Sequence, residues 1–205
     1  AMSKDTVRVH GAMGRLACSG LLAAAFSFAA VTDNAWAYND GQVIRGDVTF
    51  TQNGNTLIIT ASDGSIIEYL NFNILPNETV RFIQPGDWAR VLNRITGGEP
   101  SLIQGRLLAN GQVYLVNPAG VIFGKDSIVN VGGLYAAAGQ ISNSDFINGV
   151  DRFTNLEGAI VNEGQIRAGN LHLLGQHVAN HGLLKSDEGV ITMVDEVLMD
   201  DVHQD

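Results

Sequence analysis

From residue 38 onward apolar positions come in short runs that alternate with polar ones, and a 3.6-residue spacing is almost absent. Val48 to Gln52 and Thr56 to Ala61 flank Asn53-Gly54, and Ile66 to Leu70 follows Asp63-Gly64. Asn-Gly and Asp-Gly between runs of this kind predict hairpins. The best helical candidate is Trp88, Val91, Leu92 and Ile95 in GDWARVLNRIT, with Asp87 as N-cap. A short buried strand is the alternative there, because periodicity alone does not separate the two in so short a run. The chain therefore reads as all-β.

The second half repeats itself. Ile160-Val-Asn-Glu-Gly-Gln-Ile166 aligns with Val178-Ala-Asn-His-Gly-Leu-Leu184 at an offset of 18, and Ile128-Val-Asn-Val-Gly-Gly-Leu134 carries the same template 32 residues before the former. The shared pattern is apolar-x-Asn-x-Gly-x-apolar, which makes Asn130, Gly132, Asn162, Gly164, Asn180 and Gly182 the expected corners. Leu171/Leu173 and Val190/Thr192/Val194 form a second matched pair, and the polar stretch Ser142 to Asn155 reads as an inserted loop. A period of 18 to 20 with short strands and Asn/Gly corners indicates a solenoid, and specifically a parallel β-helix, over a β-sandwich. Asn bonds its own backbone at such corners, Gly takes positive φ there, and stacked Asn side chains can bond from coil to coil.

The most apolar region, GQVYLVNPAGVIFG from Gly111 to Gly124, is interrupted by Asn117-Pro118-Ala119-Gly120. Pro118 suits position i+1 of a turn, and Asn117 before it is driven towards an extended conformation. A structural corner is the simplest reading of this motif.

Composition changes the picture mainly at the N-terminus. Arg8 and Arg15 precede the apolar run Leu16 to Val31, and Ala35-Trp-Ala37 before Tyr38 supplies an A-x-A cleavage site. This order predicts a secretory signal peptide over residues 1–37, with the mature domain at 38–205. Its removal would take away the single cysteine, Cys18, leaving a disulfide-free exported chain that relies on packing and hydrogen bonds. It would also move the formal net charge from −9 to −10, since Lys4, Arg8 and Arg15 leave with Asp5 and Asp33. So acidic a chain, with no Lys/Arg cluster along the sequence, argues against a nucleic-acid partner.

Candidate chemistry is sparse. A polysaccharide-cleaving β-helix needs converging carboxylates, whereas His181-Gly182 is isolated and Asp200-Asp201 lies far downstream. His172, His177 and His181 lack helical phasing and a partner Cys or carboxylate cluster, so they read as surface groups and no metal site is assigned. Asp145, Asp151 and the acidic residues from Asp195 to Asp205 read as solvated loops. With no phosphate loop and no nucleophile elbow, the expectation is a non-enzyme without cofactors.

The stretch LNRITGGEPSLIQGRLLANGQVYLVNPAGVIFGKDSIVNVGGLYAAAG, Leu92 to Gly139, resembles the N-terminal secretion domain of the filamentous haemagglutinin family, the adhesins of two-partner secretion systems. The similarity extends to Gly41-Gln-Val-Ile-Arg-Gly46, Ile67-Glu-Tyr-Leu-Asn-Phe-Asn73 and Asp145-Phe-Ile-Asn-Gly149. The resemblance implies a right-handed parallel β-helix with an N-terminal cap and extra-helical β-hairpins. It implies export by the Sec machinery, signal-peptidase cleavage at Ala37, and recognition in the periplasm by an outer-membrane β-barrel transporter through its polypeptide-transport-associated domains. Delivery would be to the cell surface or medium of a Gram-negative-type envelope, where the domain would nucleate folding of a longer adhesin. The family's Asn-Pro-Asn-Gly-Ile signature falls on Asn117-Pro118-Ala119-Gly120-Val121, with Ala119 in place of the second Asn. Its Asn-Pro-Asn-Leu signature is missing, and Leu92-Asn93-Arg94 stands in that region. Asn117, Pro118, Gly120, Val121, Asn93 and Arg94 are thus the implied recognition residues. A stand-alone β-helical module binding surface or host glycans is the alternative.

Overall fold

The computed structural model describes residues 41–195. The expected leader with Cys18, the expected cleavage site at Ala35 and Ala37, and Asp200-Asp201 lie outside the described residues. The described residues form fifteen strands and one short helix: β1 (Gln42–Arg45), β2 (Val48–Asn53), β3 (Thr56–Ala61), β4 (Ser65–Tyr69), β5 (Thr79–Ile83), β6 (Arg90–Ile95), β7 (Ser101–Ile103), β8 (Arg106–Ala109), β9 (Gln112–Val116), β10 (Gly120–Phe123), β11 (Ile128–Ala137), α1 (Asn143–Ile147), β12 (Ala159–Asn162), β13 (Gln165–Gly175), β14 (His177–Asn180) and β15 (Leu183–Asp195).

The strands wind into a parallel β-helix with three faces. Face A stacks β3, β5, β8 and the first halves of β11, β13 and β15 in parallel. Face B stacks β4, β6, β9 and the second halves of the same three long strands. Face C stacks β7, β10, β12 and β14. Two antiparallel strands cap the N-terminal end: β1 pairs with β4, and β2 pairs with β3 in a hairpin whose tip is Gly54-Asn55. Gly54 takes φ 55°, as the tight tip requires.

Thr56, Thr79, Arg106, Ile128, Gln165 and Leu183 stand in one column, so successive coils take 23, 27, 22, 37 and 18 residues. The 37-residue coil contains an excursion closed at its base by the Gly158 N–H donating to the Ala138 carbonyl (3.2 Å). Without the nineteen residues 139–157 that coil also takes 18. Alternation then places one side chain of each strand inward in register. Leu57, Val80, Leu107, Val129, Ile166 and Leu184 form such a column through the core. Fully burying a side chain of this kind contributes about 1.5–3 kcal/mol, which applies to every member of the column but the partly buried Leu184.

Three sequence expectations change. Residues 88–95 are not helical: Arg90–Ile95 is strand β6, with Val91 and Ile95 in the core. Leu92 points to the other face, into a second cluster, so both faces of this strand are apolar and the alternation is masked. Asp63-Gly64 is a corner instead of a hairpin, because β3 and β4 belong to different faces and do not pair. There Asp63 Oδ1 accepts the Arg90 N–H at 2.8 Å and Gly64 adopts φ 69°. Finally, Leu171 and Leu173 align with Ile191 and Met193, one residue out of step with the expected Val190/Thr192/Val194. The chain around Asp187-Glu188-Gly189 adds two residues between the halves of β15, which moves the offset from 18 to 20.

Candidate recognition surface

At the corner from face B to face C, Asn117 is buried and satisfies five hydrogen bonds around one turn. Its N–H donates to the Ala137 carbonyl (2.9 Å) and its carbonyl accepts from Gly120 N–H (2.9 Å). Its Nδ2 donates to the Glu99 carbonyl (2.9 Å) and to Ser101 Oγ (3.0 Å), and its Oδ1 accepts from the Ala119 N–H (3.0 Å). Asn117 therefore ties its own coil to the one before and the one after. Gly120 has φ 114°, and a Cβ there would lie 2.6 Å from the Ala159 carbonyl of the next coil. Only glycine meets both conditions. Val121 points into the core, whereas Pro118 is half-exposed on the outside of the corner.

Asn93 and Arg94, adjacent on β6, have opposite fates. Asn93 is wholly buried among apolar neighbours; its Oδ1 accepts from Tyr69 Oη and its Nδ2 donates to the Tyr114 carbonyl, both at 3.2 Å. Arg94 points outward and holds the excursion against face B. Its guanidinium donates to Glu68 Oε1 (2.8 Å), the Ile141 carbonyl (2.8 Å) and Asn143 Oδ1 (2.7 Å).

The excursion continues this clamp. Ser142 caps α1, its Oγ accepting from Asp145 N–H at 3.0 Å. That short turn drives Phe146 into a second apolar cluster with Ile66, Leu92, Tyr114, Val116, Ala137 and Ile141, outside the coil core. Tyr114, Tyr135 and His172 stack outward from consecutive coils, with ring centroids 4.2 and 4.4 Å apart. Phe146 meets Tyr114 edge-on at 5.1 Å, and Arg90 lies over the Phe146 ring while donating to its carbonyl (3.0 Å). Tyr114 Oη donates to Asp151 Oδ1 at 2.9 Å. Burial, with Tyr135 and Asp151 beside it, raises the Tyr114 pKa and keeps the phenol protonated. Burial likewise lowers the His172 pKa, partly opposed by Asp151.

Arg94 and Pro118 meet at the surface. Together with Thr96, Gln140, Ile141 and Asn143 they line a cleft of about 470 Å³ between the corner and the start of the excursion. Because the guanidinium already has three oxygen partners, the cleft offers shape, amides and hydroxyls more than free charge. The family resemblance points to Pro118 through its signature and to Arg94 only by region, and not to the residues opposite them. Ser142-Asn-Ser-Asp145, a capping pattern, was the available signal for the turn that brings Ile141 and Asn143 into place.

The repeat residues divide into two groups. Asn162 and Asn180 are superposed on face C, and Asn162 Nδ2 donates to Asn180 Oδ1 at 2.8 Å. Gly164 and Gly182 follow them into face A, and a Cβ on Gly182 would collide with the Gly164 carbonyl. Asn130 is not a corner: it is exposed in the first half of β11, between Leu108 and Arg167. Gly132 bends β11 from face A to face B, where a Cβ would lie 2.8 Å from the Asn110 carbonyl. The third copy of the template thus falls on a different corner, because its coil begins at another phase. His172 is half-buried in the aromatic stack, while His177 and His181 are exposed at the edges of β14. Among the described residues no group of three His, Cys, Asp or Glu converges as metal ligands.

A capped solenoid with a docked external excursion and a shaped corner cleft is a scaffold for binding a partner. The chain belongs to the TPS secretion domain family, whose profile matches residues 33–196. It is accordingly a secretion domain of the two-partner type, found in exoproteins exported across the Gram-negative envelope. It is 38% identical over 130 residues to a heme/hemopexin-binding protein of Haemophilus influenzae strain Rd, covering 60% of this chain and 14% of that protein. A second heme/hemopexin-binding protein of the same species is 47% identical over 75 residues, covering 37% of this chain and 8% of that protein. The crystal structure of the HMW1 secretion domain from Haemophilus influenzae superposes with a TM-score of 0.66 at 35% identity, over 71% of this chain and 41% of that one. The chain thus spans a small part of the curated relatives it matches.

Proposed function

We propose that the outer-membrane β-barrel transporter of the secretion pair, through its periplasmic polypeptide-transport-associated domains, recognises the cleft between Arg94 and Pro118. The observation that carries this reading is that Pro118 of the Asn-Pro signature and Arg94, from the region where the second signature is missing, line one cleft although they lie about one coil apart. Asn117, Gly120, Val121 and Asn93 act beneath it, holding the corner and β6 in position. Residues 1–37 serve as a Sec signal cleaved after Ala37, and residues 38–205 lead a longer adhesin whose folding they nucleate. A solenoid with mostly neighbouring-coil contacts suits a chain that emerges end first, since each coil can add to the last.

The test is secretion from the source cell with and without the neighbouring barrel gene, read by immunoblot of medium and periplasm. Chain in the medium only when the barrel is present supports the reading, and periplasmic retention in both strains removes it. Thr96→Trp, which fills the exposed cleft and gives up one bond from Thr96 Oγ1 to the Tyr69 carbonyl (3.2 Å), should reduce secretion at least fivefold while costing the purified chain only about 1 kcal/mol of stability. Full secretion of that variant would move recognition elsewhere on the surface.

A further inference from the structure

Face A carries an arrangement that the secretion role does not use. The sequence has nine Lys or Arg residues between 41 and 195, against fourteen Asp or Glu. Four of the nine, Arg81, Arg106, Arg167 and Lys185, project outward from face A, and all four are exposed. Arg81, Leu108, Asn130, Arg167 and Lys185 form a single outward column across five coils. Coils lie about 4.8 Å apart, so this column spans about 19 Å along the helix axis. No strand segment of face A from Val48 to Ser186 contains a carboxylate. The first acid on this face is Asp187, which accepts from Arg167 Nε at 2.7 Å and lies 3.8 Å from Lys185 Nζ. A chain acidic overall thus gathers cations on one outer wall.

That wall also has relief. A groove of about 410 Å³ includes part of the column, with Arg81, Leu108 and Asn130 among its lining beside Ile83, Ala109 and Asn110. Amides and a guanidinium alternate there with flat aliphatic surface. At one end Asn110 is locked by reciprocal bonds to Gln84, its Oδ1 accepting from Gln84 N–H (2.8 Å) and its Nδ2 donating to the Gln84 carbonyl (2.7 Å). The loop that follows Gln84 exposes Trp88, 60% accessible.

We propose that this outer wall of face A binds a linear acidic polysaccharide laid along the helix axis, its acid groups paired with Arg81, Arg106, Arg167 and Lys185. Charge complementarity fixes the sign of the ligand. The sheet fixes its class: strand backbone groups on face A are taken up by ladders between coils, so a peptide lying on it finds no backbone partners for its own amides. Sugar hydroxyls instead meet the exposed Asn130 amide, and the sugar ring faces meet Ile83 and Leu108. Bidentate pairing of Arg with a carboxylate or sulfate then orients the chain.

The test uses the chain as secreted, applied to immobilised polygalacturonate, with neutral dextran and poly-glutamate as controls. Binding to polygalacturonate should exceed that to either control at least tenfold and weaken steeply with added salt. The double variant Arg81→Gln/Arg106→Gln should lose at least tenfold in affinity, while Arg45→Gln/Arg152→Gln, away from face A, should not. Asp187→Asn, which frees Arg167, should tighten binding two- to threefold. Retention no greater than on neutral dextran overturns the proposal, and so does insensitivity to the Arg81/Arg106 pair. Equal capture by poly-glutamate assigns the wall to acidic protein instead. Barrel-dependent secretion of the Arg81/Arg106 variant should be unchanged, which separates this proposal from the transport reading.

Discussion

The inner core of the coils and the outer cluster beneath the excursion both bury mainly apolar side chains, but they are built differently. The inner core consists of registered columns in which each coil supplies an equivalent residue, such as Leu107 between Val80 and Val129. The outer cluster has a repeated half and a unique half. Leu92, Tyr114, Tyr135 and His172 stack on face B, while Ile141 and Phe146 come from an insertion present in one coil. The repeated half also closes with polar groups, namely Tyr114 Oη on Asp151 and the guanidinia of Arg90 and Arg94 on excursion carbonyls. The inner core therefore sets whether the solenoid exists, and the outer cluster sets the shape of one patch of its surface.

This contrast can be broken at its strongest point first. Leu107→Ala removes a wholly buried side chain from the middle of a column and should cost about 2–5 kcal/mol. A urea titration should show one cooperative transition at a lower midpoint, with hydrogen exchange faster in every coil. Phe146→Ala deletes a comparable volume, with a cost of about 3 kcal/mol at that site. Hydrogen exchange should accelerate in residues 139–157 while β5, β8 and β13 keep their protection. If exchange instead rose uniformly, the excursion would be part of the coil's cooperative unit.

Asn117→Ala tests the corner between the two regions. It leaves the Glu99 carbonyl, Ser101 Oγ and the Ala119 N–H without their partner, and should cost about 1–3 kcal/mol. An unchanged melting curve for the purified chain would mean that water replaces those bonds.

The smallest effect is a dependence on pH. The folded-state pKa of His172 lies below the usual imidazole value, so the unfolded chain takes up the proton more readily. Its contribution to stability is complete above about pH 6.5 and is lost as pH falls through and below that value. Replacing the imidazole with Phe, which keeps the stack on Tyr135, should flatten that part of the stability-against-pH curve between pH 7 and 5. A curve of unaltered slope would assign the titration to another group.

The sequence by itself determined the all-β character, the parallel β-helix and the corner at Asn117. These depend on local alternation and on turn chemistry that Asn, Pro and Gly carry wherever they stand. The 18-residue repeat was visible because the coil from Gln165 to Leu183 has no insertion to obscure it. Coils of 23, 27 and 22 residues hid the same periodicity further upstream, where the corners vary in length. Residues 90–95 were ambiguous for a related reason: a strand buried on both faces loses the alternation that identifies it, and what buries its outer face lies about fifty residues away. Only the tertiary structure decided that Asn130 lies in a strand and Asn162 at a corner, although they share a template. It also brought Arg94 beside Pro118 and gathered Arg81, Arg106, Arg167 and Lys185 onto one wall. Each of these arrangements depends on the register between coils, which is set by the summed lengths of all intervening corners and not by any segment's own residues.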